Sequence, residues 1–140
     1  MEKIDSFRGK YYCFSNFSEH EVFYDGLFYK NSEAAFQAAK FLDENIKKRF
    51  LYLSPSEARK LGKSRSLPLR RDWEEVKDNI MHEIVRAKLT QHPEILKRLL
   101  DTKDLELIEG NTWGDRYWGQ VDGFGQNKLG KILMKIREEN

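Results

Sequence analysis

The sequence has almost nothing with which to cross-link itself or to hold a metal. It contains one cysteine, Cys13, so an internal disulfide is impossible, and Cys13 has no Cys or His neighbour at metal-ligand spacing. The three histidines, His20, His82 and His92, are scattered along the chain, so neither a metal site nor a cofactor is expected. Cys13 lies in Tyr11-Tyr12-Cys13-Phe14, where a buried, inert thiol is the expected state. No apolar run approaches the roughly 20 residues of a membrane span. Met1-Glu2-Lys3-Ile4-Asp5 also lacks the basic start and apolar stretch of a secretory signal, so a cytoplasmic protein is expected. Charge of one sign is missing too. The 25 Lys and Arg against 23 Asp and Glu leave a net +2, too little to imply nucleic-acid binding by itself. No repeat, low-complexity stretch or linker divides the chain, and nothing in it marks an oligomer.

What is present is an aromatic-rich, well-solvated chain of 140 residues, long enough to fold without a staple. One domain over residues 1–140 is expected. Tyr24-Asp25-Gly26-Leu27, an Asp-Gly pair between aromatic flanks, predicts a hairpin. The Ser32 hydroxyl can cap a helix over about 33–42, and a short helix follows over 45–53. Ser54-Pro55-Ser56-Glu57 has the composition of a capping box with Pro at the first helical position, and Gly62 ends that helix. Asp72-Trp73-Glu74-Glu75 reads as a second capping box. It opens a long helix with Val76, Ile80, Ile84 and Leu89 near one face. Pro93 starts another with Leu96, Leu99 and Leu100, Leu105–Ile108 reads as a strand, and a closing helix carries Leu129, Ile132, Leu133 and Ile136. The predicted fold is a compact, mostly helical α+β domain around a small β-sheet.

The most informative stretch is Ser32-Glu33-Ala34-Ala35-Phe36-Gln37-Ala38-Ala39-Lys40-Phe41. At about 100° per residue, Glu33, Gln37 and Lys40 fall in one stripe roughly 60° wide, bordered by Phe36 and Phe41. A surface helix has a wide polar face and a narrower apolar one. This helix shows the reverse, so it is expected to be largely buried, with a polar strip turned to a site. The competing view is a solvated Glu–Lys stripe.

Three further segments bear on chemistry. Residues 62–73 place Lys63, Arg65, Arg70 and Arg71 in a loop leading to a helix N-terminus, a composition suited to phosphate. Leu67, Pro68 and Leu69 suggest that this loop packs on the body of the protein. Residues 109–119 concentrate Trp113, Trp118, Tyr117, Asp115 and three glycines, a set that suits a base and ribose hydroxyls or a tight turn anchored by indoles. Residues 123–130 form a glycine-rich entry to the last helix. They lack the Gly-Lys-Ser/Thr ending of a P-loop, so nucleotide hydrolysis of that kind is not expected.

The order of these motifs resembles the NADAR family. The matching stretches are Phe14-Ser15-Asn16-Phe17; Ser32-Glu33 with Phe36-Gln37-Ala38 and Lys40-Phe41; Gly62 with Arg65-Ser66 and Pro68-Leu69-Arg70; Asp72-Trp73-Glu74; Arg86-Ala87-Lys88 with Gln91-His92-Pro93-Glu94; Tyr117-Trp118-Gly119; and Asn127-Lys128-Leu129-Gly130. The resemblance implies a mostly helical α+β fold and cleavage of a C–N bond between a heterocycle and ribose. In one branch of the family the substrates are early phosphoribosylated pyrimidine intermediates of riboflavin synthesis. In another, ADP-ribose is removed from guanine bases in DNA. The chain departs from the first branch around residues 109–124, which bears on substrate identity more than on reaction class.

For such a reaction Glu33 is the expected acid–base residue, and Lys40 is either its electrostatic aid or a nucleophile at C1′. Asp115 is the second acid–base candidate. Asn16 and Asn127 are candidates for sugar hydroxyls, Gln37 for another substrate contact, Arg65 and Arg70 for phosphate, and Trp73 and Trp118 for stacking or walling. The expected partner is a small phosphoribosyl or ADP-ribosyl molecule, with no membrane. Nucleic acid enters only under the DNA-directed alternative. A non-catalytic ADP-ribose or nucleotide-binding module is the other alternative, and a structural or interaction domain would leave the polar stripe unexplained.

Overall fold

A computed structural model describes residues 2–140. The elements in chain order are β1 (Lys3–Ile4), a 3-10 helix (Gly9–Phe14), β2 (Val22–Tyr24), β3 (Leu27–Tyr29), α1 (Ser32–Ala38), α2 (Glu44–Lys48), α3 (Pro55–Gly62), α4 (Trp73–Gln91), α5 (Pro93–Asp101), β4 (Glu106–Leu107) and α6 (Lys128–Glu138). This is the mostly helical α+β class that the sequence predicts. The strands form two separate pairs, not one sheet. The chain divides into two compact units, Asn16–Gln91 and the remainder. No helix among the described residues is long and apolar enough to cross a membrane.

In the unit Asn16–Gln91, β2 and β3 pair antiparallel with Val22 opposite Tyr29. Asp25 and Gly26 turn the chain with φ of 50° and 87°, the left-handed pair that a two-residue hairpin requires. Phe41 stacks near Phe50, with ring centres 5.8 Å apart. From α4, Ile80, Met81, Ile84, Val85 and Leu89 are buried, while Val76 is only partly covered. Ser54 and Glu57 exchange the two bonds of a capping box at the start of α3. The second expected box is replaced by an ion pair, because the Asp72 carboxylate takes the Arg70 guanidinium at 2.7 and 3.1 Å.

In the other unit, β1 pairs parallel with β4, Ile4 opposite Leu107. The core is supplied by Ile4, Phe7, Phe14, Leu107 and one face each of α5 and α6. On α5 that face is Ile95 and Leu99; of the three expected leucines Leu99 is buried, Leu96 half-buried and Leu100 exposed. Leu129, Leu133 and Ile136 are the buried side of α6. Cys13 is half-buried, its thiol donating to the Lys10 carbonyl at 3.6 Å.

Asn127 ties the start of α6 to β4. It is left-handed, with φ 52°, and its Nδ2 donates to the Leu107 carbonyl at 2.9 Å while its Oδ1 accepts from the Glu109 N–H at 3.0 Å. Both ends of the amide are therefore spent on backbone. Asn127→Ala would strand a buried carbonyl and N–H and place alanine at a left-handed position. A loss of about 2–4 kcal/mol in stability is expected, read as a lower denaturation midpoint with an unchanged slope.

Candidate active site

The polar stripe on α1 is buried, as its narrow width suggests. Glu33 and Gln37 are 5% and 6% exposed, and Lys40 is half-buried. The helix is shorter than expected and starts from a different cap. Asn31, not Ser32, is the N-cap, accepting from the Ala34 N–H at 2.7 Å. The Ser32 hydroxyl is drawn away to donate to Asn16 Oδ1 at 2.8 Å. The α-helix stops at Ala38, and Lys40 follows on a tighter turn, its N–H bonded to the Gln37 carbonyl at 3.2 Å. That turn keeps Lys40 beside the stripe while freeing its own carbonyl.

Arg70 satisfies the carbonyls so released. Its backbone N–H reaches Lys40 O at 2.9 Å, and Nη1 reaches Ala39 O at 3.3 Å. A cation at a helix C-terminus is favoured both by the unpaired carbonyls and by the helix dipole. The rest of the guanidinium is held by Asp72, whose carboxyl lies below its usual range because of those hydrogen bonds. Arg70 is thus built into the end of α1. Arg65, by contrast, is exposed. The loop is anchored by Arg70; Leu67 is half-buried, whereas Pro68 and Leu69 are exposed.

Glu33 is held from two sides. Gln37 Nε2 donates to Glu33 Oε2 at 2.7 Å, and Arg59 Nε lies 4.0 Å from the same oxygen. The Arg59 guanidinium sits 4.8 Å from the centre of the Phe17 ring, a cation–π contact that orients it. Arg59 has no counterpart among the residues singled out from sequence. It falls on α3 in a stretch that reads as an ordinary surface helix, and only the α1–α3 packing brings it to Glu33. The Glu33 N–H bonds to Asn16 O at 3.2 Å, while the Asn16 amide, 8% exposed, bonds Ser32 and the Met81 sulfur. Asn16 therefore fixes the first turn of α1.

The side-chain oxygen of Gln37 is unusual. Oε1 is buried and has no hydrogen-bond partner among the described residues. It rests against Gly62, where a Cβ would lie 2.0 Å from it. The missing side chain at Gly62 is therefore what lets Gln37 stand upright and donate to Glu33. Gly62→Ala would push aside the far end of a flexible side chain, which is cheap in stability, and would break the Gln37–Glu33 bond. Activity is expected to fall about ten- to a hundredfold with the melting temperature nearly unchanged. An unaltered kcat would separate Gln37 from the chemistry.

Lys40 Nζ donates to the Gly62 carbonyl at 3.4 Å. Burial pushes the Lys40 amine below its ordinary value, the Glu33 carboxylate pushes it back up, and Lys63, Arg59 and Lys77 add to the fall. The net direction is down, so the desolvation and the three cations outweigh the carboxylate. Trp73 is 6% exposed and packs on Phe36 with ring centres 5.0 Å apart.

Asp115 and Trp118 belong to the other unit. Asp115 Oδ1 accepts from the N–H groups of Tyr117 and Trp118 at 3.0 and 2.9 Å, the geometry by which an aspartate nucleates a turn. Trp118 is half-buried and meets Tyr117 edge-on at 4.9 Å. The glycine-rich entry to α6 is already occupied. The N–H groups of Asn127, Lys128 and Leu129 donate to the carbonyls of Gly119, Tyr117 and Trp118, which leaves those three amides unavailable to a phosphate. No group of His, Cys, Asp and Glu that could hold a metal is present among the described residues.

A family model described as the NADAR domain matches residues 5–139. The chain is 43% identical over 128 residues to the N-glycosidase YbiA of Escherichia coli (strain K12), which covers 90% of this chain and 79% of that protein. An N-glycosidase of Nostoc punctiforme is 40% identical over 134 residues, 92% of this chain and 85% of its own. A riboflavin biosynthesis protein of Vibrio vulnificus is 35% identical over 127 residues, which span 89% of this chain but 34% of that longer protein. The NMR structure of the E. coli protein YbiA aligns with a TM-score of 0.86 at 40% identity, covering 99% of this chain and 86% of that one.

Proposed function

The chain belongs to the NADAR domain family, and we propose that it is an N-glycosidase acting on phosphoribosylated pyrimidine intermediates of riboflavin synthesis, releasing ribose 5-phosphate and the free base. The reaction class rests on the two relatives named N-glycosidases. The substrate class is supported by the name of the third relative, a riboflavin biosynthesis protein. Within the chain, the observation that carries the reading is the buried carboxylate of Glu33, held by Gln37 and Arg59 beside an amine of lowered basicity.

Breaking the glycosidic bond leaves positive charge on C1′ and negative charge on the departing base. A carboxylate beside C1′ stabilises the first and can take the proton of the attacking group. Lys40 supplies that group. Its neutral amine bonds to C1′ as the C1′–N bond breaks, and the electron pair leaves with the base, which collects a proton. The ring oxygen then opens and takes up a proton as C1′ becomes an imine of Lys40. Water adds to the imine, releasing the sugar phosphate and restoring the amine. Arg65, exposed like Lys63 and Arg71 in the same loop, is a cation available to the phosphate. Asn16, whose amide is engaged by Ser32 and Met81, acts by fixing the first turn of α1.

The test is incubation of the purified protein with phosphoribosylaminopyrimidine, with ADP-ribosylated DNA and with NAD, followed by mass spectrometry. Ribose 5-phosphate with free pyrimidine is expected from the first. ADP-ribose released only from DNA would overturn the substrate, and tight binding without turnover would overturn the enzyme.

A further inference from the structure

Glu33 accepts a short hydrogen bond from Gln37, and Arg59 lies 4.0 Å from the same oxygen. That distance is too long for a hydrogen bond and short enough for a strong charge contact. The Arg59 side chain is 35% exposed whereas that of Glu33 is 6% exposed, so Arg59 brings charge from the solvent edge to a buried oxygen. The Phe17 ring, 4.8 Å from the guanidinium carbon, fixes the flat group in place. A guanidinium stays charged at every working pH and lies flat on a ring, neither of which an ammonium does as well.

We propose that Arg59 is a positioning residue of this site, clamping the Glu33 carboxylate from α3 and setting the charge balance under which Lys40 acts. The charged groups around Lys40 are Glu33 on α1, Arg59 on α3, Lys63 at the end of α3 and Lys77 on α4. Glu33 is the sole member of this set that holds a proton on Lys40; Arg59 both faces that carboxylate and adds its own repulsion to the amine. It acts on the pair from a position that touches neither C1′ nor the base in the mechanism above. The proposal rests on the assignment of Glu33 and Lys40 but not on the identity of the substrate.

The experiment follows Lys40 directly. The intact chain is treated with a trace of dinitrofluorobenzene across a pH series, and labelling of the Lys40 peptide is read by mass spectrometry. In Arg59→Gln the midpoint of Lys40 labelling is expected to rise by about one unit, the lower end of what a neighbouring charge causes, because Arg59 is partly exposed. Arg59→Lys should stay near the wild-type midpoint. With substrate, the same one-unit rise should appear as about a tenfold loss of kcat near neutral pH with little change in KM. An identical midpoint in wild type and in folded Arg59→Gln overturns the proposal. Should Arg59→Gln not fold, Phe17→Leu takes its place. It loosens the guanidinium without removing it, and an unmoved midpoint there overturns the proposal equally. A shifted midpoint in a protein that leaves phosphoribosylaminopyrimidine intact upholds the role of Arg59 and defeats only the substrate.

Discussion

Glu33→Gln should leave the protein folded and cost at least about 100-fold in kcat, the usual contribution of a positioned acid–base group. The amide keeps the shape of the carboxylate, and its oxygen can still accept the 2.7 Å bond from Gln37 Nε2. What disappears is the negative charge, and with it both the stabilisation of positive C1′ and the proton acceptor. Stability is expected to change little. A buried ion costs desolvation that its partner repays only in part, and Arg59, left without its partner, reaches solvent. Steady-state kinetics on the confirmed substrate, together with a thermal melt, decides the matter. A folded variant with near-normal kcat would remove Glu33 from the mechanism. A loss confined to KM would make it a binding residue.

Local chemistry was legible in the sequence wherever a few neighbouring residues settle the outcome. Asp25-Gly26 has one good conformation between two strands, and Ser54 with Glu57 satisfies two helix N–H groups without help from elsewhere. The Glu33–Gln37–Lys40 stripe was legible for a related reason, since a narrow polar strip on an apolar helix is costly to bury unless its groups are paired. Distant partners were not legible. Asn31 and Ser32 are both good caps, and the choice between them is made by Asn16, which claims the Ser32 hydroxyl. β1 and β4 are two residues each and about a hundred positions apart, too short for either to announce a pairing. Asn127 reads as a candidate for sugar hydroxyls, and nothing in the sequence announces its two backbone partners. Gly62 reads as a helix stop, yet a side chain there would displace Gln37 on another helix. Arg59 was silent because its function depends on what α3 packs against.

Borohydride added during turnover should trap a sugar on Lys40. Two demands conflict on the stripe. A nucleophilic lysine must be neutral in a useful fraction of molecules, and an ionised carboxylate nearby opposes this by holding the proton on the amine. In the folded protein the opposition is outweighed. Burial is the largest influence on Lys40 and lowers it, Glu33 raises it, and Lys63, Arg59 and Lys77 lower it again. The sign is then fixed. A lysine below its ordinary 10.5 is neutral in a larger fraction at every pH under that value, and partial burial reduces the solvation that would blunt its attack. The conflict also becomes useful, because Glu33 can take the proton that Lys40 sheds as the base departs. Reduction of the imine to a secondary amine makes the adduct permanent. Peptide mass spectrometry should find the mass increase of one reduced sugar phosphate on the peptide containing Lys40, requiring both substrate and borohydride. The adduct should be absent from Lys40→Ala, which should turn over at least about 100-fold more slowly. Undiminished turnover in borohydride, with no adduct on any peptide, would make water the nucleophile and Lys40 an electrostatic aid to Glu33.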